Sequence, residues 1–270
     1  FLLEEGKIRI FRNKIEINFH ELVKIAIRTI TNFEIKYLVF KDLRKRGQYI
    51  KLNAEDEKIN FYDLKNRFLI TTFSERDIFD IDETKKLLKT VKKESKELWY
   101  AIVDEEGDLT YYNVNLLEIN GVNTEGVYEK VQGLLLKNRV LIFDKKVCEK
   151  LHEKEFYGKP FGEGLQLSMV EAMYLFEKGF VDVQTEDGKK ISKEKFEQII
   201  LNLQPDFKSR LVVYKDLKKK GFIVKTGFKF GAHFRVYTSK PDETHAEYLI
   251  HVVNKGFKSI WAEISRAVRL

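Results

Sequence analysis

Cysteine occurs once in this 270-residue chain, at Cys148, so no internal disulfide framework is possible and a reducing cytoplasm fits. In its Lys-rich helical setting that thiol reads as a core residue rather than a nucleophile. Proline is almost as scarce, with three residues, while charged residues make up 34%. Such a chain is tightly folded and charge-rich, a composition common among heat-adapted proteins. No apolar run reaches the ~18 residues of a membrane-spanning helix. Phe1-Leu2-Leu3 is too short for a signal peptide and runs into Glu4-Glu5. The five histidines show no HxxxH spacing and no CxxC exists, which disfavours a His- or Cys-type metal site. The stretch from Gly227 to Gly231 lacks the GxxxxGK[ST] form of a phosphate loop and reads as bends in a sheet. No cofactor and no membrane association are expected.

What is present is basic and aromatic. Lys and Arg number 49 against 42 Asp and Glu, a net charge of +7. That balance suits an anionic partner such as nucleic acid, the plainer alternative being a merely soluble basic protein. The 43% hydrophobic content supplies ordinary cores, and 21 Phe with 12 Tyr favour sheet-containing cores and stacking surfaces.

The chain repeats itself. Phe33 to Gly47 matches Phe207 to Gly221 without a gap, 174 positions apart. Each copy reads as an amphipathic helix with Phe33, Tyr37, Leu38 and Leu43, or Phe207, Leu211, Tyr214 and Leu217, on its apolar side and a glycine stop. Alternating strands follow, among them Phe228 and Phe230, then Phe234 and Val236. In the first copy Asp82 is expected to cap a further helix. Leu98 to Val103 reads as a buried strand, Asp104 to Asp108 as an acidic turn and Leu109 to Val114 as the returning strand. Asn120-Gly121 and Gly126 mark a linker. The expected division is therefore 1–118, a degenerate structural repeat that begins inside a helix, and 119–270, a second repeat that ends inside one. Both ends read as incomplete. The fold class is α+β or mixed α/β, each repeat pairing a helix-strand N-terminal subdomain with a mixed-sheet C-terminal subdomain.

The chemistry concentrates between Tyr214 and His245. Tyr237 ends a strand and His245 opens the next, across a polar loop at a sheet rim. A histidine is the natural acid or base near neutral pH, and a phenol needs cations nearby to act as a base. Lys225, Lys229, Arg235 and Lys240 are candidates for that field. The alternative is a packed tyrosine and a solvated histidine. His233 reads as packed or backbone-bonded and His251 as core or surface, while His20 and His152 look incidental. The Lys/Arg runs at 41–46 and 215–220 fall on helix C-terminal turns, which the macrodipole favours.

Tyr214 to Tyr237, followed by Thr244-His245-Ala-Glu-Tyr-Leu249, resembles the catalytic core of archaeal tRNA-splicing endonucleases, specifically over about 207–270. The tandem arrangement is similar to the two-repeat, homodimeric form. The resemblance implies a tRNA-intron lyase that cuts bulge-helix-bulge precursor tRNA by metal-independent acid–base catalysis, leaving a 2′,3′-cyclic phosphate and a 5′-hydroxyl. Tyr237 would take the 2′-hydroxyl proton and His245 would protonate the leaving 5′-oxygen. A lysine, expected beyond Leu270, would stabilise the phosphorane. Arg269 would stack on a bulge base, and Lys225 and Lys229 would contact RNA. After Gly47 the first repeat keeps Lys96 at the lysine position but has no matching histidine. Its acidic turn, Asp104, Glu105, Glu106 and Asp108, would dock into a basic pocket of a second copy. Two rivals remain open: a non-catalytic RNA-binding or assembly subunit, and a metal-dependent DNA nuclease, for which Glu247 is a weak start.

Overall fold

A computed structural model describes residues 1–53, 58–65, 67–123, 126–241 and 244–268. The chain is an α+β protein made of two compact units. The first takes residues 1–117 together with the segment from Lys255 onward, and the second runs from Glu118 to Asn254.

The first unit opens with a short hairpin, β1 (Ile10–Arg12) and β2 (Ile15–Ile17), and then two helices, α1 (Phe19–Thr29) and α2 (Phe33–Lys45). Asn18 and Glu21 form a reciprocal capping box at the start of α1. Behind them stands a five-stranded mixed sheet of β3 (Ile50–Leu52), β4 (Phe61–Asp63), β5 (Phe68–Ser74), β7 (Glu97–Val103) and β8 (Leu109–Val114), in that order. Strand alternation divides its side chains between two cores. Ala101 and Val103 face α2 with Val39 and Leu43. Leu98, Tyr100 and Ile102 face α3 (Ile81–Lys93), through Leu88 and Val91. The cap of α3 is Asp80, whose carboxylate accepts the N–H groups of Asp82 and Glu83. Asp82, the expected cap, is already inside the helix, because the preceding strand β6 (Ile78–Asp80) runs directly into it.

The second unit begins with a mixed sheet of β9 (Val131–Leu135), β10 (Arg139–Ile142), β11 (Lys159–Phe161), β12 (Gly164–Ser168) and β13 (Val181–Gln184). A short helix, α4 (Lys145–Glu149), widens into a π-turn over Lys150–Lys154. Cys148 is buried there, its thiol directed at the Ile142 carbonyl. Helix α5 (Met169–Glu177) packs against this sheet, and α6 (Lys193–Leu203) and α7 (Phe207–Lys219) pack on α5. A three-stranded sheet follows, β14 (Ile223–Thr226), β15 (Phe234–Tyr237) and β16 (Tyr248–Ile250). One continuous core, running from Tyr128 to Val236, joins the two sheets.

The internal match is visible in three dimensions. Helices α2 and α7 each have 13 residues. Each ends at a left-handed glycine, Gly47 (φ +79°) or Gly221 (φ +81°), which a side chain would strain. The C-terminal segment differs from its expected place in the 119–270 repeat. Strand β17 (Lys258–Ile260) pairs antiparallel with β6 of the first unit, and α8 (Trp261–Val268) follows it. Trp261 is 1% exposed. It packs among Phe73, Phe79, Tyr100 and Tyr112, at ring separations of 5.0–6.0 Å. Burying so large an aromatic surface outweighs continuity along the chain. None of the described helices is long and apolar enough to cross a membrane.

Candidate nucleic-acid site

Strands β14 and β15 carry the site. They pair antiparallel from Thr226↔Phe234 to Ile223↔Tyr237, so Tyr237 closes the hairpin on its outer pair. Its ring is 4% exposed, and the Arg235 guanidinium lies 5.8 Å from its centroid. Pairing of β15 with β16 stops at Val236↔Tyr248. Beyond that point side chains hold the two arms together. Glu247 accepts the Thr238 N–H (2.9 Å) and hydroxyl (2.5 Å). The Ser239 and Thr244 hydroxyls meet at 2.9 Å. These bonds hold the Glu247 carboxyl below the usual carboxylate range, the Thr238 hydroxyl contributing most. His245 sits on the returning arm, exposed, next to Thr244. A buried phenol ends one strand, and an exposed imidazole lies on the arm tied to it.

The connection between β14 and β15 is not strand, as the alternation of Phe228 and Phe230 suggested. It is a single 3₁₀ turn over Phe228–Phe230. Hydrogen bonds within the turn take the chain's polar groups, from Phe230 N–H to Gly227 O (2.8 Å) and Gly231 N–H to Phe228 O (3.1 Å). Gly227 passes so close to Ala232 that a β-carbon would stand 2.8 Å from its carbonyl oxygen. The side chains of Phe228, Lys229 and Phe230 consequently face solvent.

Of the expected RNA contacts among the described residues, Lys229 is offered outward. Lys225 turns inward: its ammonium donates to the carbonyls of Phe156 (2.6 Å) and Gly158 (2.8 Å) and approaches Glu171 at 3.9 Å. It is a brace between β14 and the turn at 156–158. Arg269 lies outside the described residues. His233 is backbone-bonded as expected, its Nδ1 accepting the Val252 N–H at 2.9 Å. Burial, and then the Arg210 charge, push its pKa below the ordinary value. Among the described residues, no three His, Cys, Asp or Glu side chains are grouped to hold a metal.

The acidic turn closes the β7–β8 hairpin. Asp104 is spent on the turn itself, accepting the N–H groups of Glu106 (3.0 Å) and Asp108 (2.8 Å). Glu105 pairs with Arg76. Glu106 and Asp108 remain exposed. Lys96, just before β7, pairs with Glu94 at 2.7 Å. In the second unit, a cavity of about 570 Å³ is lined by Tyr174, Glu177, Lys178, Lys215, Lys218 and Lys219, among others. Sequence reading passed over this cavity, because the basic run of α7 reads locally as a helix C-terminus.

The profile of the tRNA intron endonuclease catalytic C-terminal domain matches residues 33–111 and again 207–270. The profile of the N-terminal domain of the same family matches residues 131–197. The tRNA-splicing endonuclease of Methanococcoides burtonii is 34% identical, over 100% of this chain and 80% of its own length. That of Methanosarcina barkeri is also 34% identical, with the same coverage. A relative from Methanothermobacter thermautotrophicus is 40% identical over 47% of this chain and 74% of its own length.

Proposed function

Because the chain belongs to the tRNA-splicing endonuclease family, we propose that it excises introns from precursor tRNA by acid–base cleavage at a bulge-helix-bulge. The reading rests on Tyr237, at the end of β15, and on His245, on an arm tied to that strand's end by the Thr238–Glu247 and Ser239–Thr244 bonds. RNA supplies its own nucleophile, so the protein need only move protons. Tyr237 accepts the proton of the 2′-hydroxyl as that oxygen bonds to phosphorus. His245 donates a proton to the 5′-oxygen as the P–O5′ bond breaks. The products are a 2′,3′-cyclic phosphate and a 5′-hydroxyl, and neither step needs a metal. Arg235 sets a positive charge beside the phenol and the incoming phosphate. The role of Arg269 in gripping a bulged base belongs to the same proposal.

Two copies would assemble through the acidic turn. Glu106 and Asp108 of one copy suit the lysine-lined cavity of the second unit in the other. A cytoplasmic location accords with the buried, unpaired Cys148.

The test is incubation of the full chain with a bulge-helix-bulge RNA in EDTA, followed by analysis of the fragment ends. Cyclic phosphate and 5′-hydroxyl termini are expected. Binding without cleavage would favour the non-catalytic subunit reading, and cleavage only with added divalent metal would defeat the acid–base mechanism.

A further inference from the structure

The 3₁₀ turn between β14 and β15 presents an aromatic side chain that the acid–base chemistry does not use. Phe228 is 86% exposed, and Phe230 beside it is 37% exposed. An isolated surface phenylalanine is ordinary. Its neighbour in the turn, Phe230, belongs to a connected set. Phe230 lies 5.2 Å from the Arg235 guanidinium, and the same guanidinium lies 5.8 Å from the Tyr237 ring. The Arg235 Nε–H also donates to the Thr226 carbonyl (2.9 Å), fixing the guanidinium between turn and strand. A ladder of ring, cation and ring therefore leads from the exposed turn to the phenol at the end of β15. Lys229 adds a positive charge at the tip.

We propose that Phe228 is a stacking platform for an unpaired base of the RNA, at the turn end of the β14–β15 hairpin whose far end carries Tyr237. The inference rests on the nuclease reading given above. Its occupant follows from chemistry. An exposed aromatic face beside a lysine suits a flat ring attached to a phosphate, and a fully paired duplex offers no free base face to it. The turn is already rigid, held by its own hydrogen bonds and by the close passage of Gly227 at Ala232. Stacking on it thus sacrifices little backbone freedom. The contact would position the strand rather than react with it.

The experiment compares the full chain with Phe228→Ala and Phe228→Trp, on a bulged RNA and on a fully paired RNA of the same length. Phe228→Ala is expected to bind the bulged RNA about tenfold more weakly. Its KM should rise while kcat stays within about twofold. Its affinity for the paired RNA and its thermal unfolding should match those of the unaltered chain. Phe228→Trp should restore binding, and its added indole fluorescence should be quenched by bulged RNA. Unchanged affinity in Phe228→Ala, or an equal loss on both RNAs, overturns the proposal. So does a changed oligomeric state with unchanged RNA affinity, which would make the turn a protein contact. If the unaltered chain neither binds nor cuts the bulged RNA, the nuclease reading itself fails. A chain that cuts normally but ignores the Ala substitution removes only the stacking role.

Discussion

The first hairpin of each C-terminal sheet invites direct comparison. In the first unit its outer pair is Ile50↔Asp63, and in the second it is Ile223↔Tyr237. Asp63 stands 174 positions before Tyr237, the spacing of the internal repeat. A four-residue connection, 64–67, then leads to β5, whereas the second unit spends residues 238–247 before β16. The short connection leaves Asp63 with a buried side chain bonded to Arg67 Nε at 2.7 Å. Burial works against its charge, but the Arg67 side chain and the N–H groups of Arg67 and Lys65 outweigh it, holding the carboxyl below the usual range. The longer connection carries His245 on an exposed arm. One scaffold thus uses its rim for an internal ion pair, while its twin presents ionisable groups to solvent.

The sharpest way to break this comparison is at the longer arm. His245→Ala should lower cleavage of bulged RNA about 10²- to 10⁴-fold while RNA affinity stays within about twofold. Single-turnover kinetics with a parallel binding assay reads both, and undiminished cleavage would remove the functional contrast between the rims. Next in size is Trp261→Ala, expected to destabilise the first unit by about 3–5 kcal/mol. Thermal unfolding measures this, and a transition unchanged from the parent would deny that α8 belongs with the first unit. Asp63→Ala should cost roughly 1–3 kcal/mol near neutral pH. Its folded-state pKa is depressed, so its contribution is present above the unfolded value of about 4 and is lost as pH falls through the folded value. Denaturant titrations at pH 7 and pH 3 should show the difference between variant and parent shrinking in acid; a constant difference would mean the carboxylate charge is not what stabilises the rim. The smallest effect concerns the acidic turn. Glu106→Ser with Asp108→Ser should weaken self-association about tenfold in sedimentation while leaving the fold intact, since Asp104 alone organises the turn. An unaltered dimer would count against docking.

The elements legible in the sequence were those encoded within a few residues. Helix α7 and its glycine stop follow from an apolar spacing and one backbone conformation at Gly221. The strands on either side of Asp104–Asp108 follow from alternation and a turn. The backbone-bonded His233 and the buried Cys148 were also readable from their neighbourhoods. What was missed depends on partners distant along the chain. Lys225 sits 67 and 69 positions from the carbonyls it binds. The alternation of Phe228 and Phe230 imitates a strand, but the approach of Gly227 to Ala232 bends those residues into a turn.

By itself, then, the sequence determined a repeated helix-and-sheet unit and a family, and it offered Tyr237 and His245 as candidates to move protons, because each of these is written in local spacing and residue type. Only the tertiary structure decided that the segment from Lys258 to Val268 joins the first unit, that Lys225 faces inward and that Phe228 faces out. The physical reason is common to all three. Burial and hydrogen bonding are satisfied by whichever surface is nearest in space, and an aromatic ring such as Trp261 finds its apolar surroundings across more than a hundred residues of intervening chain.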